Sequence, residues 1–179
     1  FGIVWGTVAV TLLLAFGEGL HGPLMKSMKG LGENIIIAWP SRTSRPWQGL
    51  PRGRRVQVTE EDLEQVRADV PLLTRVSGEF SAWNQRFKHG RQTLLPGFSG
   101  TNVEFAEMRN IIATEGGRFV DQLDLASRRR VVFLGDKLAK DLFGVDPAVG
   151  HLVTINGVPF TVIGVMQDKE QDSSYNNRD

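Results

Sequence analysis

The sequence predicts an α+β domain standing behind an apolar N-terminal helix, and three observations predict it. Residues 1–16 contain no charged side chain. Behind them, helix starts marked by Thr59 and Asp136 alternate with short β-type runs. Asn156-Gly157 lies between two apolar segments, the strongest short-range signal for a hairpin.

A helix that crosses a hydrocarbon core of about 30 Å needs about 20 apolar residues. Residues 1–16 are slightly short of that, and the chain opens on Phe1 without an initiator Met, so part of the helix is expected upstream. Gly2 and Gly6 form a small-xxx-small pair, which lets helix backbones approach closely in lipid. Glu18 is the first charge. From there Leu20, Leu24, Met28 and Leu31 recur at near-helical spacing, while Lys26 and Lys29 fall off that stripe. The reading is a partial transmembrane helix over 1–17 and an amphipathic stalk over 18–32, with the body of the chain over 33–179. Pro23 either kinks the stalk or restarts it, and Gly30 and Gly32 end it. Two other assignments share the composition of residues 1–16: a buried helix of a soluble body, and a signal peptide cut near Ala15-Phe16-Gly17. The second has no basic n-region in view, and it leaves the stripe after Gly17 without a purpose.

With 179 residues the chain is long enough for one ordinary domain, or a small domain with a smaller lobe. A charged fraction of 23% and a net charge of +1 are those of a folded body rather than a polybasic nucleic-acid binder. There is no cysteine, which removes disulfides, thiol nucleophiles and Cys-based zinc sites from consideration.

Ile35-Ile36-Ile37-Ala38-Trp39 is a continuous apolar run closed by Pro40, the pattern of a strand covered on both faces. Residues 41–57 have no periodicity and read as a solvated loop, carrying Arg42, Arg45, Arg52, Arg54 and Arg55 around Trp47. Thr59 begins a helix, with Asp62 placed to reach back to it and Glu60 and Glu61 at the positive end of the dipole. Leu63, Val66 and Val70 form its expected buried stripe, and Pro71 closes it. Residues 76–87 have strand character, and His89-Gly90 turns the chain into 92–97. Residues 98–108 look irregular, with a helical turn near 103–107. A β-rich lobe is expected over about 116–170. In it Gly116 and Gly117 turn toward Asp124, Arg128-Arg129-Arg130 precede the short buried strand 131–134, and Asp136 caps a helix with Leu138, Ala139, Leu142 and Phe143 inside and Gly144 at its end. The segments 151–155 and 158–166 form the hairpin, apolar on both faces and therefore covered on two sides.

The chemistry of a nucleotide site is missing. No G-x-x-x-x-G-K-[ST] loop occurs, and Gly30-Leu31-Gly32-Glu33 precedes its strand rather than following it. His21, His89 and His151 are too scattered in sequence for a metal site, and no hydrolytic triad motif is present. The sequence argues against an enzyme and names no catalytic, cofactor-binding or metal-ligating residue.

The order of motifs is familiar. Residues 2–20 (G-I-V-W-G-T-V-A-V-T-L-L-L-A-F-G-E-G-L), L-G-E-N-I-I-I at 31–37 and V-T-E-E-D at 58–62 resemble the MacB/FtsX-like family of ABC transporter permeases. G-G-R-F at 116–119, Asp124, V-V-F-L-G at 131–135, L-F-G at 142–144, Val149-Gly150 and F-T-V-I-G-V at 160–165 continue the match. It is specific through order and spacing across almost the whole chain, which looks like a MacB-like periplasmic core domain.

The resemblance implies a porter-like α/β part with a smaller β-rich lobe behind a membrane helix in the bacterial inner membrane. It implies a dimeric permease, as homodimer or heterodimer, working with an ABC ATPase domain or subunit and in many members with a periplasmic adaptor. ATP-driven motion then passes through the stalk to export a substrate or release a lipoprotein. No ATPase segment is present in the sequence, and the family offers no catalytic residue to carry over. The rival expectation is a membrane-tethered ligand-binding or sensor domain, which a deep apolar pocket with convergent polar groups favours.

Overall fold

A computed structural model describes residues 2–30 and 34–168, with the side chains of 20–30 outside the description. Helix α1 (Gly2–Gly30) runs without interruption through Pro23, so the stalk neither restarts there nor stops before Gly30. After it come α2 (Glu60–Asp69), β1 (Glu79–Ala82), β2 (Phe87–His89), β3 (Gln92–Leu94), β4 (Phe98–Thr101) and α3 (Glu104–Met108). The remainder is α4 (Gln122–Ala126), β5 (Val131–Leu134), α5 (Asp136–Phe143), β6 (Leu152–Ile155) and β7 (Val158–Val165).

Among the described residues the strands make two sheets. The larger has the order β3-β2-β6-β7-β5, antiparallel throughout except for the parallel pair β5 and β7. That parallel pair needs a crossover, and α5 supplies it. The helix lays Leu138, Ala139, Leu142 and Phe143 on the inner face of the sheet, against Phe87, Leu134, Val153, Ile155 and Val162. Phe87, Leu134, Val153 and Val162 are the most deeply buried large side chains, each stabilising the fold by about 1.5–3 kcal/mol relative to exposure. The hairpin between β6 and β7 turns at Asn156 (φ 50) and Gly157 (φ 87), as the dipeptide predicts. The edge of β7 beyond the end of β6 is paired where residues 113–118 run beside it: Thr114 N–H donates to the Val165 carbonyl at 2.8 Å, and Arg118 N–H to that of Ile163 at 2.9 Å. This close approach needs glycine at 164, where a Cβ would lie 2.4 Å from the Arg118 carbonyl oxygen.

The smaller sheet is a ribbon of β1 and β4, with Glu79 opposite Thr101 and Ala82 opposite Phe98. The sequence pattern had read residues 98–101 as irregular. Their regularity comes from a partner 16 or more residues upstream, which local periodicity cannot report.

Four further expectations are corrected. Residues 35–39 form no strand: Ile36 and Trp39 are 83% and 78% exposed, because no described segment pairs with or covers them. The stripe of α2 is not buried either; Leu63 is half-buried while Val66 and Val70 are exposed, since no described element closes over them. Asp136 is the first residue of α5 rather than its cap. Gly135 occupies the cap without a side-chain bond, and Asp136 instead pairs with Lys140 one turn on. Residues 41–57 are more ordered than a loop, as the next section describes.

Candidate coupling helix and interaction surfaces

The first candidate is α1. Its stretch Gly2–Gly19 has a mean hydropathy of 1.5 and is wholly exposed in the chain by itself. Eighteen helical residues span about 27 Å, close to the hydrocarbon thickness of a bilayer. Its hydroxyls are satisfied within the helix: Thr7 Oγ1 donates to the Val4 and Ile3 carbonyls, and Thr11 Oγ1 to that of Thr7 at 2.8 Å. Lipid requires this, because it offers no partner for an open hydroxyl. Nothing lies within 4 Å of a Cβ built at Gly2 or Gly6, so that small-residue face is open for a neighbouring helix. Of the expected stalk-packing residues, Leu20, Leu24 and Met28 lie in the helical backbone of α1, and Leu31 lies outside the described residues.

The second feature is a polar lock beside β7. Asp121 caps α4, accepting from the Asp124 N–H at 2.8 Å, while Asp124 accepts from the Asp121 N–H at 3.2 Å. Asp124 is buried, and its carboxylate receives both terminal nitrogens of Arg118, at 2.5 and 3.1 Å. Arg129 stands 3.5 Å away on the other side. The Arg118 hydrogen bonds, against the opposing effect of burial, hold the Asp124 carboxyl down at about 2. The same Arg118 donates its backbone N–H to β7, so the ion pair ties α4 to the sheet. The sequence reading had placed Asp124 only at the end of a turn. The Asp-x-x-Asp spacing at 121–124 was the available signal for a cap, but nothing local pointed to its arginine.

The third feature is the segment read as a loop. Thr43 N–H donates to the Arg54 carbonyl at 2.9 Å, Gly53 N–H to the Thr43 carbonyl at 2.7 Å, and Val56 N–H to that of Ser41 at 2.9 Å. At the tip, Trp47 and Leu50 exchange hydrogen bonds of 3.1 and 2.9 Å around Gln48 (φ 48) and Gly49 (φ 79). Two consecutive residues at positive φ make a type I′ turn, so this is a built hairpin. It holds Trp47 and Leu50 exposed side by side, with Arg42, Arg45, Arg52 and Arg55 exposed behind them. Next to it, α2 carries Glu60, Glu61, Asp62, Glu64 and Asp69, with the Thr59–Asp62 capping box formed as expected.

The histidines are less scattered than their sequence positions suggest. His89 and His151 both lie against Phe143, with ring centroids 4.0 and 6.2 Å from it. His89 Nδ1 is 2.9 Å from the Leu152 carbonyl, which commits that nitrogen to the hairpin. No group of three His, Asp or Glu side chains suited to a metal occurs among the described residues. The hollow above His89, lined by Arg86, Lys88, Leu152 and Thr154, is of mixed polarity and open to solvent.

The profile of the MacB-like periplasmic core domain matches residues 1–179. The chain belongs to that family. One MacB-family relative, a macrolide export ATP-binding/permease protein MacB of Wolinella succinogenes, is 25% identical over 99% of this chain and 27% of its own length. A pyoverdine export ATP-binding/permease protein PvdT of Pseudomonas putida is 31% identical over 99% of this chain and 26% of its own. The chain thus spans about a quarter of these relatives. Among solved structures, the periplasmic region of MacB from Actinobacillus actinomycetemcomitans superposes with a TM-score of 0.60 at 20% identity, covering 82% of this chain and 66% of that one. The extracellular domain of the transporter YknZ from Gram-positive bacteria gives 0.58 at 23% identity, covering 62% of this chain and 58% of that one. The MacB-like fold is therefore the mixed α/β fold expected from sequence, with an apolar helix leading into it.

Proposed function

We propose that this chain is the non-catalytic extracytoplasmic part of an ABC transporter permease in a bacterial inner membrane. In this reading it couples ATP hydrolysis on a cytoplasmic ATPase domain or subunit to export or lipoprotein release. The observation that carries the proposal is α1: one uninterrupted helix that begins as an apolar span and continues eleven residues beyond it, toward a family core domain. A packed helix transmits displacement because packed interfaces switch between discrete arrangements rather than deform continuously. Leu20, Leu24, Met28 and Leu31 are the proposed packing stripe against a second stalk of a homodimer or permease heterodimer. A periplasmic adaptor protein is a further partner on this reading.

The test is a two-glycine insertion after Ser27 in the full-length transporter. It adds about 2 kcal/mol of helix penalty and rotates the later stripe by roughly 200°. The expected outcome is ATP hydrolysis that persists while export or release fails. Normal transport at normal expression would refute the coupling role of the stalk.

A further inference from the structure

The hairpin at residues 41–56 is electrostatically one-sided. Arg42, Arg45, Arg52, Arg54 and Arg55 lie on it, and no acidic residue occurs from 34 to 59. Four arginines elsewhere in the body are paired within the chain: Arg67 with Glu104 at 2.7 Å, Arg75 with Glu107 at 2.5 Å, and Arg118 and Arg129 with Asp124. The hairpin arginines have no carboxylate within ion-pair distance among the described residues, and Arg42 instead donates to the Gly53 carbonyl at 3.0 Å, bracing the hairpin itself. Trp47 and Leu50 are 68% and 45% exposed at the tip. Exposed tryptophan ringed by arginine on a preformed backbone is the composition of an interface anchor, because the entropy of ordering has already been met in the free chain.

The chain also carries the complementary surface. The exposed side of α2 presents Glu60, Glu61 and Glu64 around Ala68, with Asp69 beside them. Glu60, Glu61 and Asp69 have no cationic partner among the described residues, and Glu64 has only a 3.6 Å contact with Arg67. Leu72, 92% exposed just beyond the helix, offers apolar cover of the kind Trp47 and Leu50 need. Hairpin and helix are neighbours in sequence yet form no ion pair within one chain. Two copies related by a two-fold axis satisfy both surfaces twice, since a self-complementary interface brings patch i to patch j and j to i.

We propose that the occupant of the arginine hairpin is a second copy of this chain, docked through the acidic face of its α2. The pairing rests on the dimeric permease reading above, and deepens it by naming a contact outside the membrane. Opposite charges at its rim set the encounter and its salt dependence, while Trp47 supplies the buried anchor.

The experiment uses the full-length protein in native membranes, with Ser44→Cys on the hairpin and Ala68→Cys on α2, in two copies carrying different tags. Co-purification of the tags reports the permease dimer independently of this contact. An interchain disulfide between positions 44 and 68 is expected. Its rate should fall on raising salt from 0.15 to 1 M, as the screening length drops from about 8 Å to about 3 Å. Reversing the hairpin (Arg45→Glu with Arg52→Glu) or the helix (Glu60→Lys with Glu61→Lys) is expected to slow cross-linking by at least about tenfold each. One copy of each type, co-expressed, is expected to restore it. Rescue only when both reversals share one chain, with a disulfide that stays within that chain, would overturn the proposal in favour of an intrachain contact. A rate indifferent to charge reversal, or co-purifying tags without any disulfide, would overturn it while leaving the dimer reading standing. Failure of the tags to co-purify would remove both. Cross-linking lost in phosphatidylglycerol bilayers but kept in phosphatidylcholine would assign the hairpin to anionic lipid and likewise overturn it.

Discussion

The stretch before residue 87 and the stretch after it contain comparable runs of apolar residues, yet only the second has a core. Among the described residues, every deeply buried hydrophobic side chain, from Phe87 to Val162, belongs to the five-stranded sheet, the crossover helix α5 or the Ala148 turn. Ahead of them, Ile36, Trp39, Val66, Val70, Leu72, Phe80 and Trp83 are all exposed. The difference is cover. In the second stretch, α5 lies across one face and residues 113–118 pair with the edge of β7. In the first, α2 and β1 present apolar side chains that no described element closes.

The comparison is broken most directly by matched truncations. Leu142→Ala, in the core under α5, is expected to lower stability by about 2–5 kcal/mol, whereas Val70→Ala on α2 should stay within about 0.5 kcal/mol. Denaturant midpoints of the two variants in detergent decide it, and equal losses would mean that α2 is covered after all.

The lock between α4 and β7 sharpens the same contrast. Asp124→Asn leaves Arg118 and Arg129 without their carboxylate, but both arginines are partly solvated, so the cost belongs at about 1–3 kcal/mol. The pH dependence has a definite sign. Because the folded carboxyl sits at about 2, below its ordinary value of 3.8, its stabilisation is complete above the ordinary value and fades as pH falls toward about 2. The Asn variant is expected to lose that acid-dependent component, which thermal unfolding from pH 6 to pH 2.5 measures.

Gly157→Val forces a β-branched residue to φ 87 in the turn between β6 and β7, at a cost of at least about 1 kcal/mol. An unchanged midpoint would place the strain elsewhere. The smallest expected effect is local to the uncovered stretch: Thr59→Ala removes the side-chain half of the α2 cap, worth about 1 kcal/mol to that helix. Amide exchange should accelerate across α2 while the five-stranded sheet keeps its protection.

These contrasts also explain what was legible in the sequence. The apolar span of α1, the Thr59–Asp62 capping box, the α5 stripe and the Asn156-Gly157 hairpin are written within a few residues, and all four are present. Ile35–Trp39 was misread because an apolar run records a demand for cover, not its supply. The β1–β4 ribbon and the Arg118–Asp124 pair depend on segments brought together by the fold. The arginine hairpin hid because Gln48-Gly49 is an uncommon pair for a type I′ turn, though Gly49 supplies the conformation. The stalk stripe, the one set of residues picked out for function, is placed on α1 only as backbone.

The order of strands in the larger sheet also carries a clock. The Arg86 N–H that precedes β2 is held by Asn156 Oδ1, 70 residues downstream. At a synthesis rate of about 5–20 residues per second, β2 and β3 emerge roughly 3–13 s before the strand that completes their pairing. Through most of that interval Phe87 and Leu94 have neither β6 nor α5 to cover them. The β6–β7 hairpin, once made, closes within microseconds. The slow event in forming this sheet is therefore the wait for its central strands to be synthesised, and its apolar inner face is most vulnerable to wrong partners while the ribosome is still at work.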